Sequence, residues 1–354
     1  MAGKKKSEEM PSYKELMKDL RSQGPEPLYV LYGAENYLVT SFAAALRDSC
    51  VSEATEDFDS KRLEGPVPNV QELSDALEAM PFFGGRTFVE LHGVDTNKCT
   101  DERFQTLLGD IPEWCTVVIT LPEGERPDGR LSMTKFLKAH GRVVEFAAQP
   151  ELLLFDWLQK RFAAHGKTIR RPAMERLLFL SGELMTRLIP EIDKICAYAP
   201  GDEVTEADVN AVAHHIPEAS VYELTDAVAA GNLNSAASLM AELMAGGEEP
   251  FMVAAMIGTQ IRQLYAARVA LDRGLDSEFV KEVTRDKSGK KKPDFAVKKL
   301  MQSARHFTLE ELRQDVRLCT ETDFLLKSDN TTTGTERMAE LLLRLAMNGD
   351  HAAN

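Results

Sequence analysis

The 354 residues are 44% hydrophobic and 28% charged; this ordinary globular composition excludes wholesale disorder, a collagen-like repeat and a small disulfide scaffold, and the length predicts two or three domains. Lysine and arginine number 42 against 56 acidic residues, a formal net charge of −14, which disfavours a non-specific grip on DNA by the surface as a whole. The longest apolar stretches are too short to span a bilayer, and the lysine-rich start lacks the apolar core of a signal peptide, so a cytoplasmic protein with no membrane partner is expected.

Residues 1–10 read as a polar tail. Ser12 with Glu15 forms a capping box, predicting a helix with Tyr13, Leu16, Met17 and Leu20 on its apolar stripe and Gly24 as its stop. The run LYVLY at 28–32, ended by Gly33, reads as a buried strand. A helix over 35–50 places Leu38, Phe42 and Leu46 on one face, and 61–63 is a weak strand candidate. Asn69 caps a helix whose Val70, Leu73, Leu77 and Met80 recur at spacings of three and four. Further strands are predicted over 87–91, 116–120 and 143–146, separated by helices near 101–109 and 131–140. Strand–helix alternation with short connections predicts a mainly parallel, three-layer α/β domain.

Beyond residue 148 the strand signals stop. Helices over 151–165, 171–180 and 182–198 predict a small helical domain. From 219 onward, helices over 220–230, 234–245, 249–273, 294–304, 308–327 and 332–347 predict an all-helical bundle. Its apolar faces, carried by Val221, Leu224, Met252, Met256, Leu264, Leu312, Val316 and Leu325, serve either an internal core or neighbouring subunits. The stretch 281–293 reads as a basic, Gly/Pro-containing loop.

An α/β domain followed by a helical lid raises the question of nucleotide binding. A phosphate loop needs G-x-x-x-x-G-K-[ST], so that backbone N–H groups approach the phosphates and a lysine meets their charge. After the first strand the chain has Gly33-Ala34-Glu35-Asn36-Tyr37-Leu38-Val39-Thr40, with Leu38 and Val39 in place of Gly and Lys. The strand at 116–120 leads only to a lone Glu123 where magnesium-holding acids would stand. The scaffold therefore suggests an NTPase whose site is missing, and no cofactor, metal or catalytic residue is expected. The five cysteines are dispersed with no C-x-x-C, which fits a reducing compartment and not a zinc ribbon.

Two surface features invite a binding role. Met80-Pro81-Phe82-Phe83-Gly84-Gly85-Arg86 links a helix to a strand; its two rings either pack in the core or form an exposed protein-binding plug. The basic group Lys281, Arg285, Lys287, Lys290, Lys291 and Lys292 is either a solvated loop or a contact for DNA or an acidic partner, without the aromatic interleaving that base stacking would use.

Several segments together resemble the delta subunit family of the bacterial DNA polymerase III clamp loader: LYVLYGAENYLV at 28–39, AMPFFGGRTFVEL at 79–91, GELMTRLIPEIDKICAY at 182–198, VYELTDAVAAGNLNSAASLM at 221–240 and 295–328. The resemblance runs in order over about residues 26–348. It implies an α/β plus all-α protein. An AAA+-like parallel-sheet domain without a nucleotide site (26–147) would follow a polar tail and leading helix (1–25), and precede a helical lid (148–213) and a helical collar domain (214–354). It further implies a clamp-binding plug at Phe82 and Phe83, flanked by Met80 and Pro81, where the family often has leucine first. The implied role is to bind the sliding clamp, the beta subunit, and open the ring for loading on primed DNA. The subunit would have no catalytic site of its own within the polymerase III holoenzyme. Its C-terminal domain would join the gamma/tau and delta-prime subunits. The competing readings are an ATP-binding AAA+ clamp-loader subunit or motor, which the missing Gly-Lys opposes, and a nucleic-acid-binding scaffold using 281–299, with Lys287, Lys290, Lys291 and Lys292 as candidate contacts to DNA or an acidic partner, which the net charge opposes.

Overall fold

The structure, a computed structural model, describes residues 12–82, 85–286, 289, 291–328 and 331–348. It divides into two compact units: the described residues up to Pro150 together with Leu184–Thr186, and the remaining described residues from Glu151 onward.

The first unit is built on a five-stranded, fully parallel sheet of β1 (Leu28–Tyr32), β2 (Ser60–Glu64), β3 (Thr87–His92), β4 (Cys115–Thr120) and β5 (Arg142–Glu145), in the spatial order β2-β3-β4-β1-β5. Every residue of β4 is buried, as a strand covered on both faces requires. β2 lies at an edge and buries only Leu63 deeply, hence its weak sequence signal. Alternation sends Leu28 and Val30 of β1 into a core with Leu73, Leu77, Phe104 and Leu137. Tyr29 points the other way and packs edge-on to Phe42, whose ring also meets Tyr13 and Phe146. The leading helix Tyr13–Gln23 has the anticipated capping box at Ser12 and Glu15 and ends at Gly24.

Glu151–Ala164, Arg171–Ser181 and Met185–Tyr198, the last belonging to the second unit from Arg187 onward, match the three expected helices, but the chain of this unit is not strand-free. Thr168–Ile169 and Glu203–Val204 pair as a small parallel ladder, followed by a short helix, Glu206–Val212, capped by Thr205 and not expected from the sequence. The bundle that follows packs Pro217–Ala229, Leu233–Ala245, Pro250–Asp272, Leu309–Ser328 and Gly334–Asn348 around Leu224, Ile257, Ile261, Leu264, Leu312, Met338 and Leu341. Val221, Leu224, Leu264 and Leu312 are thus internal core, with Met256 and Val316 packed against it, while Met252 stays about half exposed. The α/β plus all-α class expected from the sequence is the one observed.

One buried acid in this bundle makes stability pH-dependent. Asp315 on Leu309–Ser328 is 3% exposed and accepts a hydrogen bond from Asn348 Nδ2 at 2.8 Å. Burial dominates, aided by Glu311 and opposed by the Asn348 bond, and raises its pKa to about 6. The folded state then binds the extra proton between about pH 4 and pH 6, so stability falls as pH rises through that window and the cost is full above it. Asp315→Asn is expected to stabilise this unit at about pH 7.5, by up to about 3 kcal/mol, and to have little effect near pH 4. Thermal melts at both pH values check this; equal shifts at the two would contradict the titration.

Candidate functional site

The turn between the helix Val70–Glu78 and β3 is held from several sides. Asn69 caps the helix, its Oδ1 accepting the N–H groups of Gln71 at 3.0 Å and Glu72 at 3.4 Å. Leu73, Ala76 and Leu77 are buried beneath it. The helix then stops short of its sequence stripe: Ala79 is extended and Met80 is 75% exposed. Met80 is therefore no anchor of the helix to the sheet, contrary to the spacing. The ring of Pro81 disfavours α conformation in the residue before it, which ends the helix while the three-residue spacing from Leu77 continues.

Trp114 ties both ends of the turn. Its indole Nε1–H donates to the Ala79 carbonyl at 3.2 Å, and its own carbonyl accepts the Thr87 N–H at 2.7 Å. Arg86 adds bonds from its guanidinium to the Cys115 carbonyl and the Thr116 hydroxyl, both at 3.1 Å. Between these ties, Phe82 is 62% exposed and its backbone N–H donates to Asp59 Oδ1 at 2.8 Å. Asp59 itself is buried. Its neighbour Phe58, on the short helix Glu56–Asp59, is 67% exposed and stacks on the Phe82 ring with centroids 5.0 Å apart and planes 18° from parallel. No motif or spacing in the sequence marks Phe58, Asp59 or Trp114 as part of this turn. The only local signal for Phe58 is a lone ring inside the acidic run Glu56-Asp57-Phe58-Asp59. Met80, Pro81 and Phe82 come together in this turn, while Phe83 lies outside the described residues.

The basic segment has a different character. Lys287 and Lys290 lie outside the described residues. Residues 281–283 belong to a helix, Ser277–Val283, where a loop was expected. Lys291 is ion-paired with both Glu278 and Glu282, the latter at 3.0 Å. Lys281 meets Glu278 and Asp294, and Arg285 meets Glu282. Burial pushes the Lys292 amine below the usual lysine range, with Glu183, Asp286 and Glu218 opposing that shift. These described cations are matched by carboxylates of the same segment and its neighbours.

At the position of a phosphate loop, the chain's own backbone fills the space. The Glu35 N–H donates to the Phe146 carbonyl at 2.9 Å, and the N–H groups of Leu38 and Val39 turn back to the Glu35 carbonyl at 3.0 and 3.2 Å. Leu38 and Val39 are buried. Gly33, at φ +133°, lies so close to Phe146 that a Cβ there would sit 2.3 Å from its carbonyl oxygen. Among the described residues no group of three or more His, Cys, Asp or Glu could hold a metal ion, and no helix is long and apolar enough to cross a membrane.

A family model for the DNA polymerase III delta subunit matches residues 29–147, and another for the C-terminal domain of the DNA polymerase III delta subunit matches residues 218–344. The chain is similar to the DNA polymerase III subunit delta of Bacillus subtilis, with 26% identity over 324 residues, covering 89% of this chain and 91% of that protein. It is similar also to the probable DNA polymerase III subunit delta of Aquifex aeolicus, with 22% identity over 262 residues, covering 71% and 73% respectively. The solved structure of the Bacillus subtilis DNA clamp loader delta protein shares its fold, with a TM-score of 0.52 and 22% identity over 95% of this chain and 100% of that one. With an N-terminal and a C-terminal match in sequence order and a relative aligned along nearly its whole length, the chain belongs to the DNA polymerase III delta subunit family.

Proposed function

We propose that this chain is the clamp-loader subunit that binds the sliding clamp and opens its ring for loading on primed DNA. The observation that carries the reading is the turn at Met80–Phe82. Two large apolar side chains stand exposed on a backbone whose ends are both tied to Trp114. A pre-exposed apolar tip already tied at Ala79 and at the Phe82 N–H has less conformational freedom to lose on docking, so more of its burial energy appears as affinity. Opening the ring requires that this contact favour the open clamp over the closed one, because a ligand moves an equilibrium only by its differential affinity.

The chain acts in this reading without binding ATP. The loop after β1 supports that assignment: its Glu35 N–H is spent on the Phe146 carbonyl, and the Phe146 backbone crowds Gly33. The driving shape change then comes from ATP-binding partner subunits. Residues 26–147 act as the clamp-binding domain, 148–213 as the lid, and 214–354 as the collar that joins the gamma/tau and delta-prime subunits. Phe324, Leu343 and Met347 are exposed on the last two long helices, as a shared bundle would use them. The protein works in the cytoplasm within the polymerase III holoenzyme.

The test is direct. The full chain mixed with the sliding clamp of the same organism is expected to form a complex that survives gel filtration, and titration with MgATP is expected to give no binding heat. Failure to bind the clamp would overturn the reading, and a stoichiometric ATP site would overturn its nucleotide-free part.

A further inference from the structure

We infer that Phe58 is a second ring of the clamp-contacting surface, so that the plug is a stacked pair drawn from two separate elements. This inference rests on the clamp-binding reading above. Phe58 and Phe82 are 24 positions apart in the chain, yet their rings lie 5.0 Å apart and nearly parallel, and each is more than half exposed. The residue after Phe58 completes the arrangement. Asp59, buried at the end of the same short helix, accepts the Phe82 N–H at 2.8 Å. Adjacent residues of one segment therefore fix the backbone and the ring of Phe82.

The energetics favour joint use. Two large aromatic surfaces left in water cost apolar hydration that a partner covering both recovers. A ring docking beside Phe82 meets Phe58 without further ordering, because the stack already exists in the free chain. A stack made only to support the fold would bury its outer faces; here Phe58 stays 67% exposed. Glu56, two residues before Phe58, is paired with Arg47 at 3.0 Å, which lowers the cost of bringing an apolar pocket over this acidic segment.

Affinity of the full chain for the sliding clamp should be measured for Phe58→Ala, Phe58→Tyr, Phe82→Ala and the alanine double variant, each with a thermal melt. Phe58→Ala is expected to weaken binding about tenfold, a change of about 1.4 kcal/mol, with little change in melting temperature. Phe58→Tyr keeps the ring and is expected to bind within about twofold of the parent. The double variant is expected to lose less than the product of the single losses, because each ring supports the other. Normal binding by Phe58→Ala with a loss in Phe82→Ala overturns this inference and leaves the clamp-binding reading standing. Normal binding by both alanine variants overturns the two together. Should Phe58→Ala melt markedly lower, Phe58→Leu, which keeps an apolar side chain without a stacking face, decides: parental affinity in that variant overturns the inference, and a loss supports it.

Discussion

Gly33→Ala is expected to destabilise the α/β unit on the order of 3 kcal/mol, by overpacking and by a strained backbone at one position. An alanine Cβ would lie 2.3 Å from the Phe146 carbonyl oxygen and within 2.8 Å of the Phe146 backbone nitrogen, against backbone atoms that no side-chain rotation can clear. The φ of +133° adds a conformation that L side chains rarely adopt. The Glu35 N–H bond to that same carbonyl would be disturbed as well. For a unit of about 150 residues this corresponds to roughly 6–12 °C in melting temperature. A phosphate-binding glycine would behave otherwise: its alanine variant would lose ligand while keeping its fold. A melt of Gly33→Ala close to that of the parent would remove the close packing at Phe146 from the account.

Met80→Ala/Phe82→Ala is expected to cost at least a hundredfold in affinity for the sliding clamp while the melting temperature barely moves. Burying side chains of this size in a partner pocket contributes roughly 1.5–3 kcal/mol each, and the pair together about 3–5 kcal/mol. In the free protein they are 75% and 62% exposed, so their removal forfeits little packing. Leu77→Ala supplies the opposite pattern from the helix that leads into the turn. Leu77 is 3% exposed in the core with Leu73 and Leu91, and its truncation is expected to cost about 2–5 kcal/mol of stability. A strongly destabilised Met80/Phe82 variant, or one with parental clamp affinity, would remove the turn from the proposed function.

The strands β1, β3 and β4 were legible in the chain because each is a continuous or nearly continuous apolar run between turn residues, which central parallel strands require, whereas β5, at the sheet edge, offered only the pair Val143-Val144. The leading helix was legible to its caps, since Ser12, Glu15 and Gly24 are local signals. Legibility fell wherever contacts decide without a period. A two-residue strand such as Thr168–Ile169 shows no alternation, and its partner Glu203–Val204 is more than thirty residues away. The helix Ser277–Val283 buries only Val280 fully, so Lys281 and the glutamates around it hid its end inside a basic stretch. In that same stretch the composition displays chiefly the cations. Their pairing with Glu278, Glu282 and Asp294 follows from a helical turn and from the chain folding back, neither of which composition displays. Met80 shows the reverse error, in which a correct spacing carried on past the point where Pro81 ends the helix. Phe58 and Asp59, just before β2, and Trp114, just before β4, meet the turn in space, and no window of sequence around residue 82 contains them.

Trp114 is one of only two tryptophans in the chain, and its indole N–H is bonded to the Ala79 carbonyl at the root of the turn. The molecule therefore carries its own optical reporter. With Trp157→Phe the single remaining emitter sits where the helix Val70–Glu78 hands over to the exposed tip. Covering that tip changes the polarity around a partly buried indole, and breaking its bond to Ala79 frees the N–H for water. The two events push the emission in opposite directions, to shorter wavelength for burial and to longer wavelength for release. Docking with the tip held rigid and docking with the tip remodelled are thus distinguishable in a cuvette, without a dye and without altering any residue of the turn.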